Sequence, residues 1–293
     1  MDQKRWVQWV GIMALVLAAT AHTQTPPKTG IAFWEVDPEP VDAVLRAVPK
    51  TDALRYATLH NGFQKFQCAG DRMDEQPAGK SGEKNLVCTL PGKNADRILV
   101  VARYDEHLGR AWPTWGNAVA LMLLYHALQA QPREHTFVIA EIATEAGEKA
   151  FFGEERQHPP PVLTVVVDSF GMSAPRLVVI PPPKHAADVA KAQETQSLLQ
   201  EQALKTKELM GISPPSLTQA LTMEDAAGEG GWTHEILQSS LFGAARQSAA
   251  GVIFSQIGAA LNPPAFHQDF DYLAWIVCGI DRKLDASTQA ASQ

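Results

Sequence analysis

The sequence predicts an α/β protein: a three-layer sandwich around a mostly parallel, mixed sheet. Short apolar runs, typical of strands buried on both faces, alternate along the chain with segments whose apolar residues recur at helical spacing. Such alternation is expected of a sheet covered by helices on both sides. The 293 residues, 45% of them hydrophobic, contain no internal repeat and no interior linker. One large domain with a single core is therefore expected.

The elements follow from local patterns taken in chain order. Strands are predicted at 85–90, 98–102, 136–142, 162–167, 177–180 and 251–254. Helices are predicted at 41–48, 51–63, 117–128, 186–210 and 272–284. Thr51 and Asp52 are suitable caps for the second helix, and Gly211 is a typical terminator for the fourth.

The amino-terminal residues have the pattern of a secretory signal peptide at 1–21. Lys4 and Arg5 precede an apolar core of about 14 residues, which ends at the small residues before His22. The alternative is an uncleaved membrane anchor, but a membrane-spanning helix needs about 20 apolar residues. We therefore expect an exported protein, periplasmic or secreted, that is not an integral membrane protein after cleavage. A tether at 22–37, a domain at 38–285 and a flexible tail at 286–293 complete the predicted organisation.

Charge and cysteine content limit the partners and the compartment. The formal net charge is −7 and no basic patch occurs, which argues against nucleic acid as a partner. Cys68 and Cys88 flank a polar, glycine-containing segment, and in an exported protein they are expected to form a disulfide. A zinc pair is the alternative, although no histidine lies close to either cysteine in the sequence. Cys278 lies in an apolar helical pattern and is expected to be a buried free thiol.

Ionisable residues follow the strand at 98–102 directly, in the order Arg103, Tyr104, Asp105, Glu106 and His107. Ligand sites of α/β sheets lie at such carboxyl ends of strands. The segment Ala102-Arg103-Tyr104-Asp105 resembles the first metal-ligand strand of the zinc-dependent aminopeptidases, a family that includes the glutaminyl-cyclase-like enzymes. That family typically has Ala-His-Tyr-Asp there, with the histidine on zinc. A guanidinium stays protonated and has no lone pair for a metal.

Two further motifs of this family are matched only in part. The family's Gly-Ala-Asp-Asp-Asn loop, whose aspartate bridges two zinc ions, corresponds to Trp115-Gly116-Asn117, which places glycine at the bridging position. The family's Glu-Glu pair, a general base and then a ligand, corresponds to Glu145-Ala146. Two extra residues precede Phe151-Phe152-Gly153, which would match the family's Leu-Leu-Gly, so the register of this motif stays open.

Other motifs of the resemblance are retained. Val165-Val-Val-Asp168 resembles the strand ending in a zinc-binding aspartate, and His267-Gln-Asp269 resembles the late histidine followed by aspartate. Thr233-His234 resembles a remnant of the Ser-Asp-His segment near the substrate pocket. The resemblance thus implies a vestigial base at Glu145, vestigial ligands at Asp168 and His267, and substituted ligand positions at Arg103, Gly116 and Ala146. It also implies a surrounding pocket that contains Asp105, His107, Trp115, Asn117 and His234.

Two ligands hold catalytic zinc poorly, since such sites use about three protein ligands and an open position. We therefore expect no cofactor and an inactive pseudo-peptidase that acts as a binding or scaffolding module. In this module Arg103 is expected to pair with Asp168, and the cleft that corresponds to the family's active site is expected to hold a peptide or protein terminus. The alternative is an active zinc exopeptidase, either an aminopeptidase or a glutaminyl-cyclase-like enzyme. Its replacement ligands would come from loop residues, namely Glu106, His107, Glu148, Glu154 and Glu155. A structural envelope protein without metal or peptide ligand is a third class. Trp112, Trp115 and Trp232 are read either as core or lid packing or as a ligand-contacting surface.

Overall fold

The computed structural model describes residues 37–79, 82–105, 112–168, 170–171, 176–180, 197–202, 204–205, 217–219, 251–255 and 261–291. The expected signal peptide and most of the expected tether lie outside these residues. The helices are α1 (Pro38–Arg46), α2 (Asp52–Lys65), α3 (Trp112–Gln129), α4 (Glu145–Glu155) and α5 (Pro263–Ala291), with a 3-10 turn at Gly70–Arg72. Residues 197–202 and 204–205 are also helical.

The described strands form one eight-stranded mixed sheet in the order β1-β2-β4-β3-β5-β8-β6-β7. Four neighbours, β4, β3, β5 and β8, run parallel, so their carboxyl ends meet at one edge. The strands are β1 (Met73–Pro77), β2 (Lys84–Leu90), β3 (Arg97–Arg103), β4 (Thr136–Ile142), β5 (Leu163–Val167), β6 (Arg176–Ile180), β7 (Leu217–Gln219) and β8 (Gly251–Ser255).

Helices cover both faces of this sheet, which confirms the predicted three-layer α/β fold. Alternate residues of β2, β3, β4 and β5 share one buried cluster with apolar residues of α1, α2, α3 and α5. Helix α4 contacts β1, β2 and β4 and does not contribute to that cluster, so it covers the opposite face. Because side chains alternate along a strand, Arg103, in step with Leu99 and Val101, lies on the α4 side.

Helix α4 was not predicted, and the loop positions expected for Glu148, Glu154 and Glu155 are wrong. Thr144 begins the helix by accepting a hydrogen bond from the Gly147 amide at 3.0 Å. Glu148 is fully buried, and Glu155 pairs with Arg97 at 2.6 Å. The helix has only a short apolar contact face, because its eleven residues include two glycines and four glutamates. Its sequence therefore does not show the recurrent apolar spacing by which a helix is predicted.

The last helix also differs from the prediction at both ends. It begins at Pro263, because proline is tolerated in the first turn of a helix, where its missing amide hydrogen has no intrahelical partner. It continues to Ala291, so the expected flexible tail is helical over most of its length. The residues from Asp285 to Ala291 include neither glycine nor proline to end the helix.

The predicted disulfide between Cys68 and Cys88 is present, and both cysteines are fully buried. Within the loop that it closes, β1 forms an antiparallel edge strand on β2, with Met73 opposite Cys88. This strand was not predicted, because its polar sequence lacks the alternation of a half-buried strand. Cys278 is the buried free thiol that was expected, and burial raises its pKa to about 12.

None of the described helices is both long enough and apolar enough to cross a membrane.

The cysteines give a direct test of this arrangement. The native protein should react with no thiol reagent, because the one free thiol is buried and the other two cysteines are bonded to each other. The denatured protein should expose one thiol, and the denatured, reduced protein all three. A colorimetric thiol assay measures these counts. Three reactive thiols before reduction would contradict the disulfide.

Candidate functional site

Arg103 and Asp105 form an ion pair at the carboxyl end of β3. The Arg103 Nε lies 2.9 Å from Asp105 Oδ1, and its Nη2 lies 2.6 Å from Oδ2, so the guanidinium donates two parallel hydrogen bonds. Only 17% of the arginine side chain and 8% of the aspartate side chain are exposed. The expected bidentate pair between Arg103 and Asp168 is therefore wrong. Asp105 lies two residues after Arg103 in the same turn, so its carboxylate reaches the guanidinium through a contact that is local in sequence.

Two further carboxylates act on this guanidinium. Burial would lower the pKa of Arg103, but the hydrogen bonds and charge of Asp105 outweigh it, and the charges of Glu148 and Asp168 raise the pKa further. The side chain is therefore a permanent cation. The ends of β3 and β5 and the first turn of α4 thus place one cation and three carboxylates in electrostatic contact. We call Arg103, Asp105, Glu148 and Asp168 the charged cluster.

A buried amide fixes the turn that carries Glu148. Asn85 of β2 accepts a hydrogen bond from the Ala143 amide at 3.1 Å and donates one to the Gly147 carbonyl at 2.8 Å. A Cβ on Gly147 would lie 2.3 Å from the Asn85 Oδ1, so only glycine allows this approach. The side chain of Asn85 thereby holds the end of β4 and the first turn of α4 in one geometry.

Glu145 lies in the same turn but is exposed to solvent. The side chain of Glu145 is 71% exposed and bonds Lys149 at 2.6 Å, which lowers the pKa of the glutamate, and the charge of Arg103 still contributes to lowering this pKa. Ala146 is exposed as well. From the sequence alone, Glu148 is placed only among the loop residues that could replace a ligand. The two extra residues before Phe151 are the signal that could have shown its correspondence to the family motif. When the family's Glu-Glu motif is aligned so that its Leu-Leu-Gly matches Phe151-Phe152-Gly153, the second glutamate of the motif corresponds to Glu148.

Gly116 and Asn117 hold the turn that follows Asp168. Asn117 accepts a hydrogen bond from the Phe170 amide at 2.8 Å and is buried. A Cβ on Gly116 would lie 2.6 Å from the Phe170 carbonyl oxygen, a contact with backbone that cannot move aside cheaply. The position that resembles the bridging aspartate therefore has no room for any side chain in this packing. Asp168 itself is partly exposed.

His267 lies on α5 and bonds a different helix. Its Nε2 is 2.8 Å from Asp42 Oδ1 on α1, and 27% of its side chain is exposed. The residue of this motif that touches the β5 turn is Asp269, which is buried and accepts a hydrogen bond from the Gly171 amide at 3.2 Å. The structure therefore places Asp168 in the charged cluster and directs His267 towards α1.

Trp115, expected near the pocket, is fully buried and donates its indole N–H to the Val44 carbonyl at 3.0 Å. It anchors α1 on α3, as in the core-packing alternative. Three other candidate residues, Glu106, His107 and His234, lie outside the described residues, as does Trp232.

The described donors do not fit the dizinc centre that the fold resemblance implies. Within the part of the chain that the structure describes, no group of three histidine, cysteine, aspartate or glutamate side chains is arranged to hold a metal ion. At the strand end where the first ligand would lie, the donor is replaced by a guanidinium that already bonds Asp105.

The tight contact at Gly116 predicts a measurable loss of stability. Gly116→Ala should lower the free energy of unfolding by about 2 kcal/mol, because the new methyl group overlaps the Phe170 carbonyl. Gly153→Ala is the matched control on α4: its Cβ would meet only the far end of Arg156, at 3.9 Å, so the helix should gain about 0.5–1 kcal/mol. Urea unfolding of both variants measures the difference. Equal stability of the two variants would refute the close approach.

Solved structures with a similar fold include a glutaminyl cyclase and aminopeptidases. A glutaminyl cyclase from an Acidobacteriales bacterium superposes with a TM-score of 0.61 at 12% identity, covering 90% of this chain and 99% of that chain. A leucine aminopeptidase precursor from Bacteroides thetaiotaomicron gives a TM-score of 0.53 at 11% identity, covering 86% of this chain and 98% of that chain.

A zinc aminopeptidase from Bacillus subtilis matches 67% of this chain at 16% identity, with a TM-score of 0.45, and the chain spans 49% of its length. No protein-family model matches the chain, and no curated protein matches it. The likeness predicted from the motifs is confirmed as a likeness of fold: the chain has the α/β fold of the glutaminyl cyclase and of the leucine aminopeptidase precursor.

Proposed function

We propose that this chain is an exported domain of the aminopeptidase fold that does not carry out dizinc peptide hydrolysis and serves as a binding or scaffolding module. The observation that carries the proposal is the bidentate pair between Arg103 and Asp105 at the carboxyl end of β3. The signal-like residues 1–21 and the buried disulfide support export.

Charge is the first reason for the absence of dizinc catalysis. Arg103 has no lone pair to donate, and its fixed positive charge repels a divalent cation at close range. Its pairing with Asp105 is costly to undo, because removal of one partner from a largely buried pair costs roughly 3 kcal/mol. Arg103 thus supplies the positive charge that a metal would otherwise supply to Asp105, Glu148 and Asp168.

Space is the second reason. The bridging position is Gly116, and the Phe170 carbonyl occupies the volume that a side chain there would need. Glu145, the proposed vestigial base, is exposed and bonds Lys149, whereas Glu148 is buried. Without a metal at the charged cluster, such a base would have no activated water to deprotonate.

The charge balance of the cluster favours one kind of peptide end. Among the described side chains, three carboxylates act together with one guanidinium, which leaves two negative charges in excess. Both carboxylate oxygens of Asp105 accept a hydrogen bond from Arg103. An amino terminus is therefore a better ligand than a carboxyl terminus, which the two excess carboxylates would repel.

Metal content tests the inactive assignment. The purified mature chain, whose amino-terminal sequence should begin at His22, is expected to contain no stoichiometric zinc and to show no chelator-sensitive aminopeptidase or glutaminyl cyclase turnover. Arg103→His should raise zinc affinity, because it adds a ligand to Glu148 and Asp168. Arg103→Leu is the matched control that removes the cation without adding a ligand. Elemental analysis and zinc titration measure this. Stoichiometric zinc with chelator-sensitive turnover in the unmodified chain would establish the active exopeptidase instead.

Peptide binding tests the ligand. A short peptide with a free amino terminus and an amidated carboxyl terminus should raise the melting temperature, and the same peptide with an acetylated amino terminus should not. Asp168→Asn should weaken the effect, because it removes one of the two excess charges. Stabilisation by the acetylated peptide with a free carboxylate would reverse the assignment. No shift with either peptide would favour the structural envelope protein.

A further inference from the structure

Glu141 of β4 is a buried acid that plays no part in the charged cluster. Its side chain has no exposed surface, and within the described residues neither of its carboxyl oxygens has a hydrogen-bond partner. A buried carboxylate without hydrogen bonds or a counter-ion is strongly disfavoured, whereas a neutral carboxylic acid is tolerated at lower cost. The burial of Glu141 therefore determines its protonation state.

Strand geometry places Glu141 inside the larger apolar layer. It is in step with Phe137 and Ile139, which belong to the cluster shared with α1, α2, α3 and α5. Its cross-strand partners are Leu86 on β2 and Ala102 on β3, and both are fully buried. The carboxyl group thus lies between two sheet neighbours that offer it no polar side chain.

The described elements around Glu141 supply no compensating charge. Burial is the one cause that raises the pKa of Glu141, well above its ordinary value. Directly after β3, the phenol of Tyr104 lies on the same side and donates to the Lys84 carbonyl at 2.6 Å, and its own pKa is raised by burial and by Glu141. The helices of this layer that pack on β2, β3 and β4 are α2 and α3. Neither contributes a charge that shifts the pKa of Glu141, although they carry these titratable groups: Asp52, Arg55, Tyr56, His60, Lys65, Tyr125 and His126.

We propose that Glu141 is a proton-dependent stability switch: the folded protein keeps it as a neutral acid at neutral pH, and its ionisation loosens the β3–β4 pair. The location makes the switch relevant to the candidate site. Ala102, opposite Glu141, directly precedes Arg103, and Ala143, two residues after Glu141, donates its amide to Asn85. A charge at position 141 therefore acts on both strand ends that lead into the charged cluster.

The direction of the pH dependence follows from the raised pKa. The unfolded chain loses this proton near the ordinary pKa of about 4.3, whereas the folded chain keeps it to higher pH. The stability contributed by the bound proton is therefore fully present below about pH 4.3. It is lost as the pH rises towards the folded pKa, and over that interval the unfolding constant increases about tenfold per pH unit.

Glu141→Gln tests the switch, because glutamine has the same shape and binds no proton. In urea unfolding of the full chain between pH 4 and pH 8, the ratio of the wild-type to the Glu141→Gln unfolding constant should rise with pH above pH 4.3, by up to about tenfold per pH unit, until Glu141 ionises in the folded chain. Glu39→Gln is the matched control, since Glu39 is exposed in the first turn of α1 and should follow the wild type.

Infrared spectroscopy gives a second readout that needs no stable variant. The wild type and Glu39→Gln should show the C=O band of a protonated carboxylic acid at neutral pH, and Glu141→Gln should lack it. If Glu141→Gln does not fold, Glu141→Met replaces it in both measurements. A ratio that does not change with pH, or a wild-type spectrum without the acid band at neutral pH, overturns the proposal.

Discussion

A permanent positive charge at the carboxyl end of β3 is the constraint to which the surrounding strand ends conform. Arg103 is largely withdrawn from solvent, and a guanidinium in that position needs carboxylates close to it. Asp105 meets this need directly, with two hydrogen bonds, and Glu148 and Asp168 meet it through their charge. The acidic residues of this sheet edge thereby surround a cation that belongs to the chain itself.

Two buried amides keep the carboxylates near that cation. Asn85 joins the end of β4 to the start of α4, and Asn117 joins α3 to the turn after β5. Each amide accepts a hydrogen bond from a backbone N–H of a turn, Ala143 for Asn85 and Phe170 for Asn117, so its loss would leave a buried donor without this partner. Gly147 and Gly116 allow the close approaches that these turns need. The same sheet edge is therefore rigid in its backbone and fixed in its charge.

The elements that the sequence predicted well are those whose signals are local and repeated. Buried strands such as β3 and β4, the Thr51 cap, whose hydroxyl accepts the Leu54 amide at 3.3 Å, and the disulfide all follow from residue pattern. Helix α4 and strand β1 were missed because their sequences are polar and short, and they are held by contacts with residues distant in sequence. Glu148 was misplaced because an insertion shifted the motif register, and only the folded helix shows which glutamate is buried.

The partner of Arg103 could not be found from motif spacing, because a neighbouring aspartate and a distant one are equally good carboxylates until the turn is formed. The most direct test of the account is a crystal structure of the mature protein grown with zinc in molar excess. The account predicts the Arg103 guanidinium on the Asp105 carboxylate, with distances near 2.6 and 2.9 Å and no metal at the charged cluster. A zinc ion bound by Glu148 and Asp168, with Arg103 turned away from Asp105, would contradict it.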